Sequence, residues 1–124
     1  MFRLKQNPLP QPEGGAERDV RIVRLDNVVK TYRTKAGDFD ALRGITLSVD
    51  RGQFVGIAGK SGAGKSTLVN MISGIDRLTS GQVWVDSMPV HALKENQIAP
   101  WRGRSVGIVY QSFELIPTLS LLDN

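Results

Sequence analysis

The chain has 124 residues, of which 40% are hydrophobic and 13 are glycine. This length gives room for the core of one domain, and the composition excludes collagen-like, coiled-coil and wholly disordered proteins. The formal net charge is +4, from 16 basic and 12 acidic residues that are spread thinly along the chain, so we expect no direct binding of nucleic acid.

Cysteine and long apolar runs are both absent from the sequence. Without cysteine there is no disulfide framework and no thiolate metal site, which is typical of a reducing compartment such as the cytoplasm. A helix that crosses a membrane needs about 18 consecutive apolar residues. We therefore expect a chain without a transmembrane segment.

The first 19 residues differ in composition from the rest of the chain. They contain three of the six prolines and a Gly-Gly pair, and they are poor in apolar residues. Such a segment cannot bury enough apolar surface to offset the entropy that is lost on ordering. We predict a disordered Pro/Gly-rich tail over residues 1–19 and a folded domain over residues 20–124.

Short β-type runs begin the predicted domain. Residues 22–32 are typical of a strand with imperfect alternation, and residues 34–38 are typical of a turn. Apolar and polar residues alternate cleanly over 45–49, which predicts a half-buried strand. The turn at residues 50–52 then predicts a hairpin between this strand and the next one.

The second half of the chain has a different pattern. Residues 53–58 and 106–109 are apolar on both faces, which is typical of central strands in a parallel sheet. Apolar residues recur at helical spacing over 65–75. Residues 82–86 predict another short strand, and residues 91–101 predict a helix that ends near its proline. The order indicates an α/β fold, with part of a parallel sheet, one helix after its first strand, and an N-terminal antiparallel β subdomain.

The most specific motif lies between strand 53–58 and helix 65–75. It reads Gly59-Lys60-Ser61-Gly62-Ala63-Gly64-Lys65-Ser66-Thr67, which satisfies the P-loop pattern of Gly, four residues, Gly, Lys, and Ser or Thr. Its position between a buried strand and a helix is the one that phosphate binding requires. The alternative is a glycine-rich turn followed by a helix-starting serine, but such a turn does not need a lysine at that place.

Each residue type in this loop suits the binding of a triphosphate. The glycines let backbone N–H groups turn toward the phosphates, and the N-terminus of the helix adds further N–H groups. Lys65 is predicted to reach the β- and γ-phosphates, Ser66 to complete a Mg²⁺ shell, and Thr67 to donate to phosphate. The loop residues predicted to bind the nucleotide are Gly59, Ser61, Gly62, Ala63, Gly64, Lys65, Ser66 and Thr67.

A P-loop alone does not name the reaction, because kinases, GTPases, motors and transport ATPases all carry one. The P-loop is one of five landmarks that follow one another along the chain. They are Val28-Val29-Lys30-Thr31-Tyr32, Ala41-Leu42-Arg43-Gly44-Ile45, the P-loop, Leu78-Thr79-Ser80-Gly81-Gln82-Val83 and Val109-Tyr110-Gln111-Ser112-Phe113. Together they resemble the front half of an ATP-binding cassette (ABC) ATPase, from about residue 20 to residue 124. Segments 43–44, 74–76 and 115–124 are most similar to the branch that powers lipoprotein release and macrolide export.

The resemblance implies roles for two residues outside the loop. Tyr32 matches the aromatic residue that stacks on the adenine ring, and the alternative is an aromatic residue packed on the core at a strand end. Gln111 matches the glutamine that contacts Mg²⁺ near the attacking water and couples the site to membrane subunits. Its alternative is a polar residue that ends a buried strand. The resemblance thus implies Lys65 and Gln111 as catalytic residues, and Ser66 and Gln111 as Mg²⁺ ligands.

Three parts of such a domain have no counterpart in the sequence. They are a signature segment of Leu-Ser-Gly-Gly-Gln type, an apolar strand that ends in Asp-Glu, and a switch histidine. The resemblance therefore implies an N-terminal fragment without an obvious base for hydrolysis. We expect the isolated chain to bind Mg-ATP weakly at most and to show no turnover.

The resemblance also implies partners and a location. The chain would be the nucleotide-binding part of a transporter that couples ATP hydrolysis to export or lipoprotein release. Its implied partners are membrane permease subunits and a second ATPase domain, at the cytoplasmic, inner face of the cell membrane. The alternative is a soluble ABC-type or other P-loop module that acts on nucleic acid or ribosomes. A GTPase is less expected, since no Asn-Lys-x-Asp segment is present.

Overall fold

The computed structural model of the chain describes residues 3–7, 20–111, 120 and 122. The described residues form six strands, two α-helices and one short 3₁₀ helix. In chain order they are β1 (Arg3–Asn7), β2 (Arg21–Thr34), β3 (Gly37–Asp50), β4 (Phe54–Ala58), α1 (Lys65–Ser73), β5 (Ser80–Val85), β6 (Met88–Pro89), the 3₁₀ helix (Val90–Ala92) and α2 (Glu95–Ser105).

An antiparallel sheet of four strands, in the order β3-β2-β5-β6, is the largest element of the fold. Its long hairpin pairs β2 with β3 from Arg21↔Asp50 to Thr34↔Gly37, around a turn at residues 35–36. The predicted strand 45–49 is therefore only the second half of β3. Its first half was not predicted, because Gly37, Asp38 and Asp40 break the alternation that indicates a strand.

The predicted hairpin at residues 50–52 is wrong. β3 pairs with β2 in the large sheet, whereas β4 pairs with β1 in a separate sheet of two strands. The Arg51 N–H donates to the Val20 carbonyl at 2.7 Å, so the β2–β3 pairing continues into the residues of the turn. A turn signal shows where a chain changes direction, but it does not determine which strand the next one joins.

Residues 3–7 differ from the expectation of a disordered tail over residues 1–19. They form β1, which pairs antiparallel with β4 from Arg3↔Ala58 to Asn7↔Phe54. Strand pairing uses backbone N–H and C=O groups, which any non-proline residue carries, so a composition poor in apolar residues does not exclude it. Residues 8–19 of the expected tail lie outside the described residues.

No parallel strand pair occurs within the described parts of the chain, which corrects the expectation of a parallel sheet there. Residues 106–109 do not form the predicted second strand, and Val109 is 99% exposed. β4 exists as predicted but is not buried on both faces, since Phe54 is 76% exposed. Apolar side chains favour a strand, but the strand forms only where a neighbour accepts and donates its backbone hydrogen bonds.

Helix α1 lies where helical spacing predicted it, and it ends at Ser73 with Gly74 as its C-terminal cap. This glycine has φ 69°, and the Ile75 N–H donates to the Asn70 carbonyl at 3.0 Å. Leu68 and Met71 on α1 are buried against the large sheet. The shared core consists of Leu25, Val28, Leu42, Leu68, Met71, Val83, Val85, Val90 and Ile98. It fixes the start of α1 relative to the β2–β3 hairpin.

Helix α2 begins and ends four residues later than the predicted 91–101. Residues 90–92 form the 3₁₀ helix instead, and the Lys94 N–H donates to the Gln97 side-chain oxygen at 2.9 Å at the true start. Pro100 lies inside the helix rather than at its end. It costs one backbone hydrogen bond there, and the helix continues for a further turn.

Candidate functional site

The P-loop connects the end of β4 to the first residue of α1, as its sequence predicts. Gly62 has φ 79° and Gly64 has φ 89°, both in the left-handed region that favours glycine. A Cβ on Gly64 would lie 2.5 Å from the Ala41 carbonyl oxygen of β3. Glycine at position 64 is therefore required both by the backbone angle and by the close approach of the hairpin.

The side chain of Lys65 folds back over the loop. Its Nζ donates to the carbonyl oxygens of Gly59 and Lys60, each at 2.7 Å. The Ala63 N–H donates to the same Lys60 carbonyl at 3.1 Å, which closes the loop into a tight turn. The ammonium group is thus held at the mouth of the loop, where it can exchange carbonyl oxygens for the oxygens of a bound anion.

The N-terminus of α1 contributes to the same place. Gly64 occupies the N-cap position without a side-chain cap, and the first turn of the helix contains no acidic residue. The unpaired N–H groups of this turn and the positive end of the helix dipole therefore face the loop without a competing carboxylate.

Two open cavities meet at this loop and share Lys65 and Ser66 in their walls. The first has a volume of about 280 Å³ and is lined by Phe39, Ala41, Ser61, Gly62, Gly64, Lys65, Ser66 and Thr67. The second, of about 340 Å³, extends along α1 to Tyr110 and Gln111. Of the predicted loop residues, Gly59 and Ala63 line neither cavity and contribute backbone groups to the turn instead.

Ser66 and Gln111 both line the second cavity, and their joint binding of Mg²⁺ stays a prediction. A hydroxyl and an amide oxygen are both hard oxygen ligands of the kind that Mg²⁺ prefers. Among the described residues there is no group of three His, Cys, Asp or Glu side chains that could hold a metal ion alone. The donor set therefore fits a Mg²⁺ ion that takes its remaining ligands from phosphates and water.

Tyr32 lies on β2, outside the residues that line the two cavities. Its hydroxyl donates to Asp76 Oδ2 at 3.0 Å, and the Lys30 ammonium lies 4.8 Å from the centroid of its ring. Stacking of Tyr32 on a base stays a prediction.

Phe39, the cross-strand neighbour of Tyr32 in the hairpin, does line the first cavity and is 51% exposed. Sequence analysis missed Phe39, although an aromatic residue across the predicted turn from Tyr32 was a usable signal.

Asp76 lies in the loop that follows α1, and its carboxylate accepts three hydrogen bonds. Its Oδ1 accepts from Lys30 Nζ at 3.0 Å and from the Arg77 N–H at 2.7 Å, and its Oδ2 accepts from Tyr32. Burial by itself raises the pKa of Asp76, but the hydrogen bonds from Lys30, the Arg77 backbone and Tyr32 outweigh it and hold the pKa below its ordinary value. Asp76 is therefore an ionised carboxylate that ties β2 to this loop.

No helix in the described parts of the chain is both long and apolar enough to cross a membrane.

The sequence profile of the ABC transporter family matches residues 42–124 of this chain. The lipoprotein-releasing system ATP-binding protein LolD of Saccharophagus degradans is 37% identical over 103 residues, which cover 83% of this chain and 45% of LolD. The macrolide export ATP-binding/permease protein MacB of Syntrophobacter fumaroxidans is 42% identical over 103 residues, which cover 83% of this chain and 14% of MacB. The chain spans less than half the length of the curated relatives it matches.

One solved structure of an ATP-binding cassette is similar to this chain in both fold and sequence. It is the dimeric post-hydrolysis state of the ATP-binding cassette MJ0796, from Methanocaldococcus jannaschii, bound to ADP and Pi. It matches with a TM-score of 0.73 at 35% identity, over 82% of this chain and 44% of that chain. The match confirms an α/β cassette fold with an N-terminal antiparallel β subdomain.

LolD and MacB confirm the predicted resemblance to the lipoprotein-release and macrolide-export branch. The family profile covers two thirds of the chain, including the whole P-loop. The chain therefore belongs to the ABC transporter family.

Proposed function

We propose that the chain binds Mg-ATP through its P-loop and serves as the nucleotide-binding part of an ABC transporter for export or lipoprotein release. The observation that carries this proposal is the convergence of the Lys65 ammonium, the N-terminus of α1 and the Ser66 hydroxyl at one open loop. All three favour a polyanion, and no acidic side chain of the first helical turn opposes it.

The loop would bind the phosphates mainly through its backbone. The left-handed angles of Gly62 and Gly64 would let backbone N–H groups of the loop turn toward a bound phosphate, and Ser61 and Thr67 line the first cavity. Lys65 would release the carbonyl oxygens of Gly59 and Lys60 and donate to phosphate oxygens, which are stronger acceptors because they are charged. The site thus exchanges internal hydrogen bonds for bonds to the ligand.

Mg²⁺ would be held by Ser66 and Gln111 together with phosphate oxygens. The ion would neutralise charge between the β- and γ-phosphates. Gln111 follows residues 106–110, which belong to no strand in the described part of the chain, so its position relative to Ser66 can change without breaking a sheet. A movable ligand of this kind suits the predicted link between the nucleotide and the membrane subunits.

The partners that this function requires are permease subunits and a second ATPase domain. MacB is an ATP-binding/permease protein, and the solved structure of the cassette MJ0796 is dimeric. We propose the same kinds of partner here, with the chain at the cytoplasmic face of the membrane. Hydrolysis would then need a carboxylate and donors that the residues of the described site do not provide.

Equilibrium titration of the purified chain with Mg-ATP tests the proposal. We expect binding that weakens by roughly tenfold or more in Lys65→Ala, since this variant loses a charge-assisted donor to phosphate. Lys60→Ala is the matched control, because it lies on the same loop and keeps the backbone carbonyl that Lys65 uses. Equal binding by wild type and Lys65→Ala would contradict the proposal. Steady-state ATP turnover by the isolated chain, if Lys65→Ala abolished it, would contradict the separate prediction that the isolated chain is inactive.

A further inference from the structure

The side chains around Tyr32 form a cluster that the phosphate site does not explain. It consists of Lys30 and Tyr32 on β2, and Asp76 and Arg77 in the loop after α1. The Lys30 side chain is only 12% exposed although it carries a charge. A lysine is seldom buried to this extent unless a partner holds its charge, so the arrangement points to a specific task for the ammonium group.

Lys30 has three contacts that fix its position. Its Nζ donates to Asp76 Oδ1 at 3.0 Å and to the Arg77 carbonyl oxygen at 2.6 Å, and it lies 4.8 Å from the centroid of the Tyr32 ring. Lys30 and Tyr32 are therefore side by side on β2, although the pairing with β3 is irregular between Lys30 and Thr31. One face of the ring is therefore covered by a cation, an arrangement that is attractive.

The hydroxyl of Tyr32 is held independently of its ring. It donates to Asp76 Oδ2 at 3.0 Å, the second oxygen of the carboxylate that binds Lys30. The Arg77 N–H donates to Asp76 Oδ1 and keeps this carboxylate in place. The ring is thus fixed at its hydroxyl end by Asp76 and on one face by Lys30, and the residue remains partly exposed.

We propose that Lys30 and Asp76 are positioning residues that hold Tyr32 so that the face of its ring opposite Lys30 receives the base of the nucleotide. The proposal rests on the proposed function, because it needs a nucleotide in the P-loop. A ring that is fixed before binding loses little conformational freedom when a base stacks on it. Lys30 and Asp76 would thereby raise the affinity for ATP without touching it, through the orientation of one aromatic side chain.

The test compares two ligands on the full chain, ATP and inorganic tripolyphosphate, each with Mg²⁺. Both ligands use the phosphate loop, and only ATP has a base, so the ratio of their dissociation constants isolates the contribution of the base. We expect Tyr32→Leu to remove most of the preference for ATP, by about fivefold or more. Lys30→Met and Asp76→Asn should each reduce the preference by about threefold to tenfold and leave the tripolyphosphate affinity unchanged.

Two further variants separate positioning from a general loss of structure. Lys30→Arg keeps a cation over the ring, so it should retain most of the preference that Lys30→Met loses. Lys35→Met removes an exposed lysine from the turn of the same hairpin and should leave both affinities unchanged. Circular dichroism of each variant checks that the fold persists.

Three results would overturn the proposal. One is a preference for ATP that survives in Lys30→Met and Asp76→Asn but falls in Tyr32→Leu, which would leave Tyr32 stacking without positioning residues. Another is an unchanged preference in Tyr32→Leu. The third is an equal loss for both ligands in Lys30→Met and Asp76→Asn, which would assign the cluster to folding. In all three cases tripolyphosphate still binds to the wild type; a folded wild type that binds neither ligand would instead overturn the proposed function itself.

Discussion

Gly64 is the residue at which the phosphate loop depends most on backbone geometry. Its φ of 89° is unfavourable for any residue with a Cβ, and that Cβ would lie 2.5 Å from the Ala41 carbonyl oxygen. The contact is with backbone of β3, which cannot rotate away as a side chain could. The loop and the hairpin are therefore in contact at one of the two positions that the P-loop pattern requires to be glycine.

We expect Gly64→Ala to destabilise the chain by about 2 kcal/mol or more, because backbone strain and a steric clash add. Gly62→Ala is the matched control: φ is 79° there, but a Cβ would meet nothing within 4 Å. It should cost only the strain, about 1 kcal/mol. Urea unfolding followed by circular dichroism measures both changes, and equal destabilisation by the two substitutions would contradict the role of the Ala41 contact.

The geometry of the P-loop could be predicted from the sequence because it is local. The left-handed angles, the lysine that caps the loop and the helix that starts at Lys65 all arise within nine consecutive residues. Phe39 was missed because it reaches the cavity only through the pairing of β3 with β2, which a short motif does not contain. Tyr32 was found by its resemblance to a family position, and its contacts with Lys30 and Asp76 could not be read from spacing.

At the scale of elements, an ionic cluster joins the first long strand to the loop after α1. Lys30 on β2 pairs with Asp76, while Arg77 donates to the Leu93 carbonyl at 2.7 Å and pairs with Glu95 on α2. Strand β2, the end of α1 and the start of α2 are therefore linked through two neighbouring residues. The Arg77–Glu95 pair is exposed and contributes little, whereas the Lys30–Asp76 pair is partly buried and contributes more.

The lowered pKa of Asp76 predicts how this link responds to acid. A carboxylate whose pKa is lower in the folded state adds stability above the pKa of the unfolded state, about 3.9, and loses it as the pH falls through the folded value. We expect the wild type to exceed Asp76→Asn in free energy of unfolding by a constant amount between about pH 5 and pH 7. The difference should shrink below about pH 4.

Thermal or urea unfolding over this pH range measures the difference. In a Lys30→Met background, Asp76→Asn should cost less, because the main partner of the carboxylate is already absent. A difference between wild type and Asp76→Asn that stays constant down to pH 3 would show that Asp76 does not act through its charge.

Element types were easier to predict than their pairing. β4, α1 and β5 lie close to their predicted places because alternation, helical spacing and flanking glycines are local signals. The hairpin at 50–52 and the strand at 106–109 were wrong because pairing depends on partners distant in sequence. The same reason explains β1, whose partner β4 lies almost fifty residues away along the chain.

For the whole molecule, the central arrangement is an antiparallel sheet and a P-loop helix that share one core. Leu42 and Val28 of the hairpin and Leu68 and Met71 of α1 belong to this core. It holds Phe39 and Ala41 beside Gly64, so the hairpin forms one wall of the cavity above the phosphate loop. The antiparallel subdomain of the cassette fold therefore contributes residues to the wall of the proposed nucleotide site.

The central claim is that the loop at residues 59–67 is the place where a polyphosphate binds. Two-dimensional ¹H–¹⁵N spectra of the labelled chain, recorded with increasing Mg-ATP, test it most directly, because they observe the backbone N–H groups themselves. We predict saturable shifts of the amide signals of residues 61–67, and the same loop signals should shift with inorganic tripolyphosphate. A saturable response confined to residues elsewhere, with the loop amides unchanged, would contradict the account.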